Sequence, residues 1–171
     1  EEFMPQTDIN HADIRTRFIF DDMPVRGLHV RLENVWKHIA EQKHYPAAIR
    51  RALGELLAAG ALLSSNLKNE GTLIVQVQGQ GRLKMLVVEA TSDNTVRATA
   101  RWDETDDIRD DESLTDLLGS NSVFVLTHQP KDAEPWQGVV PLEVDNIAQM
   151  LMNYIKRSEQ LDTHIVLAAS D

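Results

Sequence analysis

Apolar positions recur at spacings of three and four after Tyr45: Ile49, Leu53, Leu56, Leu57, Gly60 and Leu63 lay one stripe along a helix. Pro46 suits the first turn of that helix, where its missing N–H costs nothing. Lys68-Asn69-Glu70-Gly71 breaks the pattern. The period then shortens: Thr72 to Gln78 is β-branched and partly alternating, reads as a strand, and ends at Gly79-Gln80-Gly81. The helix is rich in small residues, among them Ala52, Gly54, Ala58, Ala59, Gly60 and Ala61. A glycine inside a helix costs about 1 kcal/mol against alanine, so Gly54 and Gly60 predict a very close contact with a sheet or another helix. The expected arrangement is the helix laid on a sheet, with Gly54 and its small neighbours at the contact.

The same reading extends along the chain. Ile14 to Phe20 and Val25 to Arg31 are expected to form an antiparallel hairpin, with Ile14, Phe18 and Phe20 on one face. Gly27 marks a bulge or a close backbone approach. Leu32 to Glu41 reads as a short helix. Leu83–Glu89 and Thr95–Trp102 continue as a meander. An acidic segment, Asp103 to Glu112, precedes a short helix over Leu114–Leu118 that ends at Gly119. Strands are expected at Ser122–His128 and Trp136–Leu142. Asp145 can cap a last helix, whose stripe is Ile147, Met150, Leu151, Tyr154 and Ile155. Thr163 to Ala169 reads as a final strand, and a strand so near Asp171 is expected of a domain cut from something longer. Strands come in runs rather than alternating with helices. The predicted class is therefore α+β, a single domain with a largely antiparallel sheet and helices packed on it. Residues 1–13 are set aside as an expression remnant and a frayed N-terminus, and residues 14–171 are taken as the domain.

Composition narrows the function classes. With 171 residues, 42% hydrophobic and 26% charged, the chain has the makeup of an ordinary globular domain. No apolar run approaches the ~20 residues that span a bilayer, and no signal-peptide pattern opens the chain. No membrane partner is expected, and the cytoplasm is the default compartment. The net charge of −10 repels a phosphate backbone, and the basic pairs Arg50-Arg51 and Lys156-Arg157 read as solvated helix faces, so nucleic acid is not expected as a partner. The absence of cysteine removes disulfides, thiolate metal sites and cysteine nucleophiles.

Candidate chemistry fails residue by residue. Gly79-Gln80-Gly81 opens like a dinucleotide loop, but Lys84 stands where the third glycine belongs and a strand follows, so a hairpin loop is expected. His11, His29, His38, His44, His128 and His164 lack metal-ligand spacing; His29 and His128 are expected on half-buried strand faces. The acidic segment lacks the glycine and ligand order of a calcium loop and reads as solvated. Ser64-Ser65 reads as a helix end and Ser158-Glu159 as helix surface, and no serine sits in a nucleophile elbow. Trp36, Trp102 and Trp136 are expected in the core rather than as exposed anchors. No catalytic, metal or cofactor-binding residue is assigned. The chain is expected not to be an enzyme. On the residues alone, a small-molecule-binding or enzymatic α+β domain and a pure oligomerisation module stay open.

Several short pieces carry a resemblance: Val25-Arg26-Gly27, Tyr45-Pro46, Leu53-Gly54-Glu55-Leu56-Leu57-Ala58-Ala59, Leu62-Leu63 followed by Leu67-Lys68, Gly71-Thr72-Leu73, Gln76 to Gly81, Gln137 to Leu142, and Ser158-Glu159-Gln160-Leu161. In this order the chain resembles the N-terminal domain of the 33 kDa chaperonin family, the redox-regulated heat-shock holdases of bacteria. Arg82 departs from the proline common there, and Trp136 from a tyrosine. The resemblance implies an ATP-independent holdase that binds unfolded client proteins. It also implies dimerisation, so a homodimer is expected, with strand or domain exchange among its forms. Family members continue into a zinc domain with four cysteines, which this chain lacks. Zinc is therefore expected only in that absent domain, no cofactor is expected here, and the client-binding residues stay unassigned.

Overall fold

The computed structural model describes residues 12–170. Two strands, β1 (Asp13–Ile19) and β2 (Arg26–Leu32), form a separate hairpin. Helices α1 (Asn34–Glu41) and α2 (Ala47–Ser64) follow, and then β3 (Gly71–Gln78), β4 (Leu83–Thr91) and β5 (Val96–Trp102). The short helix α3 (Leu114–Leu118) leads to β6 (Val123–Pro130), β7 (Trp136–Pro141) and α4 (Ile147–Glu159). The main sheet has the order β5-β4-β3-β6-β7 with antiparallel pairs throughout. The α+β class and the largely antiparallel sheet stand as expected.

Alternation decides the two faces of this sheet. Leu73, Val75 and Val77 point to the core, beside Leu86 and Val88 on β4 and Phe124 and Leu126 on β6. Helix α2 lies on that face, and Gly60 meets Val88 so closely that an added Cβ would sit 2.6 Å from Cγ1. The core-side face also takes α4, through Tyr154 edge-on to Phe124 with ring centroids 5.7 Å apart. The α4 stripe is as read, with Ile147, Met150, Leu151 and Tyr154 buried.

Several boundaries and partners differ from expectation. Leu32 closes β2 rather than opening a helix, because it pairs with Asp13 across the hairpin. Pro46 sits one residue before α2, at the N-cap with extended ψ, not in the first turn. Gly54 does not touch the sheet: its close neighbours are Ala169 and Trp36. Asn146 caps α4 by accepting the Gln149 N–H, while Asp145 turns to accept the Thr115 N–H of α3 at 2.8 Å. The final strand, Thr163–Ala169, belongs to no ladder. It keeps a strand's alternation, Ile165, Leu167 and Ala169 half-buried and their neighbours exposed, but no strand lies beside it among the described residues. The frayed segment, residues 1–13, lies outside the described residues except for its end: Ala12 is buried and Asp13 already belongs to β1.

Candidate functional site

The glycine loop is a packing device. Between β3 and β4 the N–H groups of Gln80 and Gly81 both donate to the Leu118 carbonyl, at 2.9 and 2.7 Å. Helix α3 ends there on Gly119, whose φ of 74° suits glycine. A Cβ on Gly79 would lie 2.6 Å from the Leu118 oxygen, and one on Gly81 would run into the Leu117 carbonyl. The loop is therefore occupied by the chain's own backbone, as a hairpin loop held under α3.

The acidic segment is more ordered than a solvated loop. Arg82 forms a two-pronged ion pair with Glu112 and also donates to the Asp107 carbonyl at 3.2 Å. Arg109 contributes its own N–H to Glu112 at 3.0 Å. The Glu112 side chain is only 5% exposed, and these donors, Arg82 first and the Arg109 N–H next, hold its carboxyl below the usual glutamate range. Ile108 is buried, and Arg51 donates to the Asp110 carbonyl rather than standing on a solvated face. The sequence signals were there: one isoleucine among seven carboxylates, and Arg82, where the resemblance leads one to expect proline. Beside this segment lies an open cleft of about 610 Å³, lined by Lys43, His44 and Trp102 and by Glu104, Asp106 and Asp107.

The candidate histidines do not converge. His29 is exposed, because its face of β2 turns away from the body, and His128 is half-buried as expected. Among the described residues no group of three or more His, Asp or Glu side chains could hold a metal ion. The four-thiolate zinc site that the resemblance implies would find no ligands among these residues, which include no cysteine. Ser64 ends α2, and Ser158 and Glu159 lie exposed on α4. Trp36 and Trp102 are half-buried against the core, but Trp136, on edge strand β7, is 50% exposed and so departs from the core expectation.

What the residue-level reading missed is an exposed apolar surface. Phe18, Ile19, Phe20, Met23 and Val25 are all exposed at the end of the β1–β2 hairpin. The register explains the two phenylalanines. Leu28, Val30 and Leu32 share one face with Arg15 and Arg17, and that face meets the body: Leu32 packs on the core, Arg15 donates to Asn94 and Arg17 to the Ser65 carbonyl. Phe18 and Phe20 lie on the other face, edge to face at 5.8 Å, with the Phe18 ring across Gly27. Gly27 is therefore neither a bulge nor a close approach of two backbones: the register runs through it unbroken, and the Phe18 side chain covers it.

The chain matches the family model described as Hsp33 protein over residues 13–171. It is 84% identical over 168 residues to the 33 kDa chaperonin of Neisseria meningitidis serogroup A, covering 98% of this chain and 56% of that protein. The 33 kDa chaperonin of Chromobacterium violaceum is 49% identical over 96% of this chain and 55% of its own length. The chain thus spans about half the length of these curated relatives. A crystal structure of the 33 kDa chaperonin from Thermotoga maritima has the same fold, with a TM-score of 0.77 at 23% identity over 88% of this chain and 52% of that one. Among the described residues no helix is long and apolar enough to cross a membrane.

Proposed function

The chain belongs to the Hsp33 family of chaperones, and we propose that it is the client-binding domain of an ATP-independent holdase. Residues 14–171 form that domain, and the redox switch lies in a cysteine domain that these residues do not include. The observation that carries the reading is the hairpin surface. Phe18 and Phe20 lie on the face turned from the body, on a hairpin that no further strand joins among the described residues, and they offer apolar contact that is non-directional and tolerant of client sequence. Unfolded proteins in the cytoplasm are the partners, capture uses no cofactor and no catalytic step, and neither nucleic acid nor membrane takes part. A homodimer is part of the same proposal.

Light scattering of a thermally unfolding enzyme tests this. The chain is expected to suppress aggregation without ATP, and reductant is expected to leave the suppression unchanged, because there is no thiol to reduce. Suppression that reductant abolishes, or none at any ratio of chain to client, overturns the reading.

A further inference from the structure

The backbone makes no demand for glycine at position 27. The β1–β2 register runs through it unbroken, and its φ lies outside the left-handed region that favours glycine. A glycine inside a strand weakens the ladder and leaves one face without a side chain. At Gly27 that space is filled from across the hairpin. A Cβ there would stand 2.0 Å from Cζ of Phe18 and 2.3 and 2.6 Å from its two Cε atoms. The Gly27 Hα that such a Cβ would replace therefore points at the ring. What the glycine supplies is a place for the Phe18 ring to lie.

We propose that Gly27 is a seat that holds the Phe18 ring against its own hairpin, and that an unfolded client engages the ring once it has swung off. The seated ring lies on the chain's own backbone and is 45% exposed. Rotation about χ1 to another staggered rotamer lifts it into solvent, where an apolar client segment can lie against both of its faces. Client and seat thus compete for one ring. The seat keeps the aromatic surface small when no client is present, and the affinity a client shows is reduced by the fraction of chains whose ring is seated. Gly27 is in these terms a positioning residue, which acts through Phe18. The inference rests on the hairpin as the client surface.

Proton NMR of the chain tests it, together with capture of a labelled, reduced and carboxymethylated protein that stays unfolded in buffer. A proton held over a ring face resonates upfield. One Gly27 Hα is therefore expected upfield in the free chain, and that shift is expected to collapse as the unfolded protein is added. Gly27→Ala unseats the ring and is expected to tighten capture about twofold to fivefold, the worth of one cross-strand pair. In a Phe18→Ala background the same change is expected to leave capture where it was. An Hα that stays upfield at saturation, with capture that Phe18→Ser with Phe20→Ser abolishes, overturns the seat and leaves the hairpin surface standing. Capture that Gly27→Ala weakens by the same factor with or without the Phe18 ring makes the glycine structural and overturns the seat as well. Capture that survives the loss of both phenylalanines overturns the hairpin surface and the seat together.

Discussion

Two hairpins in this molecule share a pattern and differ in fate. β3–β4 has β6 and β5 on its outer edges, α2 across one face and α3 over its loop. Its Val75, Val77, Leu86 and Val88 are fully buried. β1–β2 has no third strand among the described residues, and side chains just as large stand in solvent. Alternation sorts side chains onto two faces in both. What becomes of a face depends on which elements arrive to cover it. A lone two-stranded hairpin is marginal in water, so β1–β2 owes its order to Leu28, Val30, Leu32 and the Arg15 and Arg17 contacts, not to its phenylalanines. The first hairpin presents a surface, and the second is scaffold.

The sharpest way to break this contrast is to remove one phenylalanine from each side. Phe124, wholly buried beside β3, is expected to cost about 3–5 kcal/mol as Phe124→Ala. Phe18, 45% exposed, is expected to cost no more than about 1 kcal/mol as Phe18→Ala. Urea denaturation measures both. Equal costs would make the first hairpin part of the core. Glycine provides the next test. Gly81→Ala drives a Cβ into the Leu117 carbonyl, where backbone meets backbone, and about 1–3 kcal/mol is expected. Gly27→Ala meets only the Phe18 ring, which can swing toward solvent, so its melting temperature is expected to fall less.

Most of the scaffold was legible because its signals are local. The α2 stripe, the β3 alternation and Gly119 each announce themselves within a few residues. The misreadings concern partners. Thr163–Ala169 has a strand's composition, but a ladder needs a neighbour, and none lies within the described residues. Asp145 and Asn146 can both cap, and only the approach of α3 decides that Asp145 serves Thr115. His29 was expected half-buried because alternation gives a face without saying where the face points. The exposed surface at Phe18 and Phe20 escaped for the same reason: apolar residues in a strand read as core until the body is seen to lie on the other side. Glu112 was hidden among its acidic neighbours, and its pairing with Arg82 and with the Arg109 N–H distinguishes it.

That pairing gives a milder test of the scaffold side. Glu112 has a depressed carboxyl pKa in the folded chain, so its contribution is present above the ordinary glutamate value. It is lost as pH falls through the folded value. Glu112→Gln is therefore expected to lower the melting temperature at neutral pH and to flatten its decline on the acid side. A parallel acid limb in variant and parent would mean that the Arg82 pair contributes nothing to folding.

The smallest expected change in stability comes with the largest expected change in function. Phe18→Ser with Phe20→Ser removes the exposed aromatic pair and leaves Leu28, Val30, Leu32, Arg15 and Arg17 in place. Because both rings are close to half-exposed already, folding loses little, and the melting temperature is expected to move by no more than a few degrees. Client capture is expected to fall sharply, since apolar contact scales with the area that a client can cover. Aggregation suppression measured beside Val139→Ser, an equally exposed position on β7, separates this surface from general loss of hydrophobicity. If Val139→Ser impairs suppression and the double variant does not, the edge of the main sheet takes the client. The contrast between presenting hairpin and scaffold hairpin would then describe stability alone.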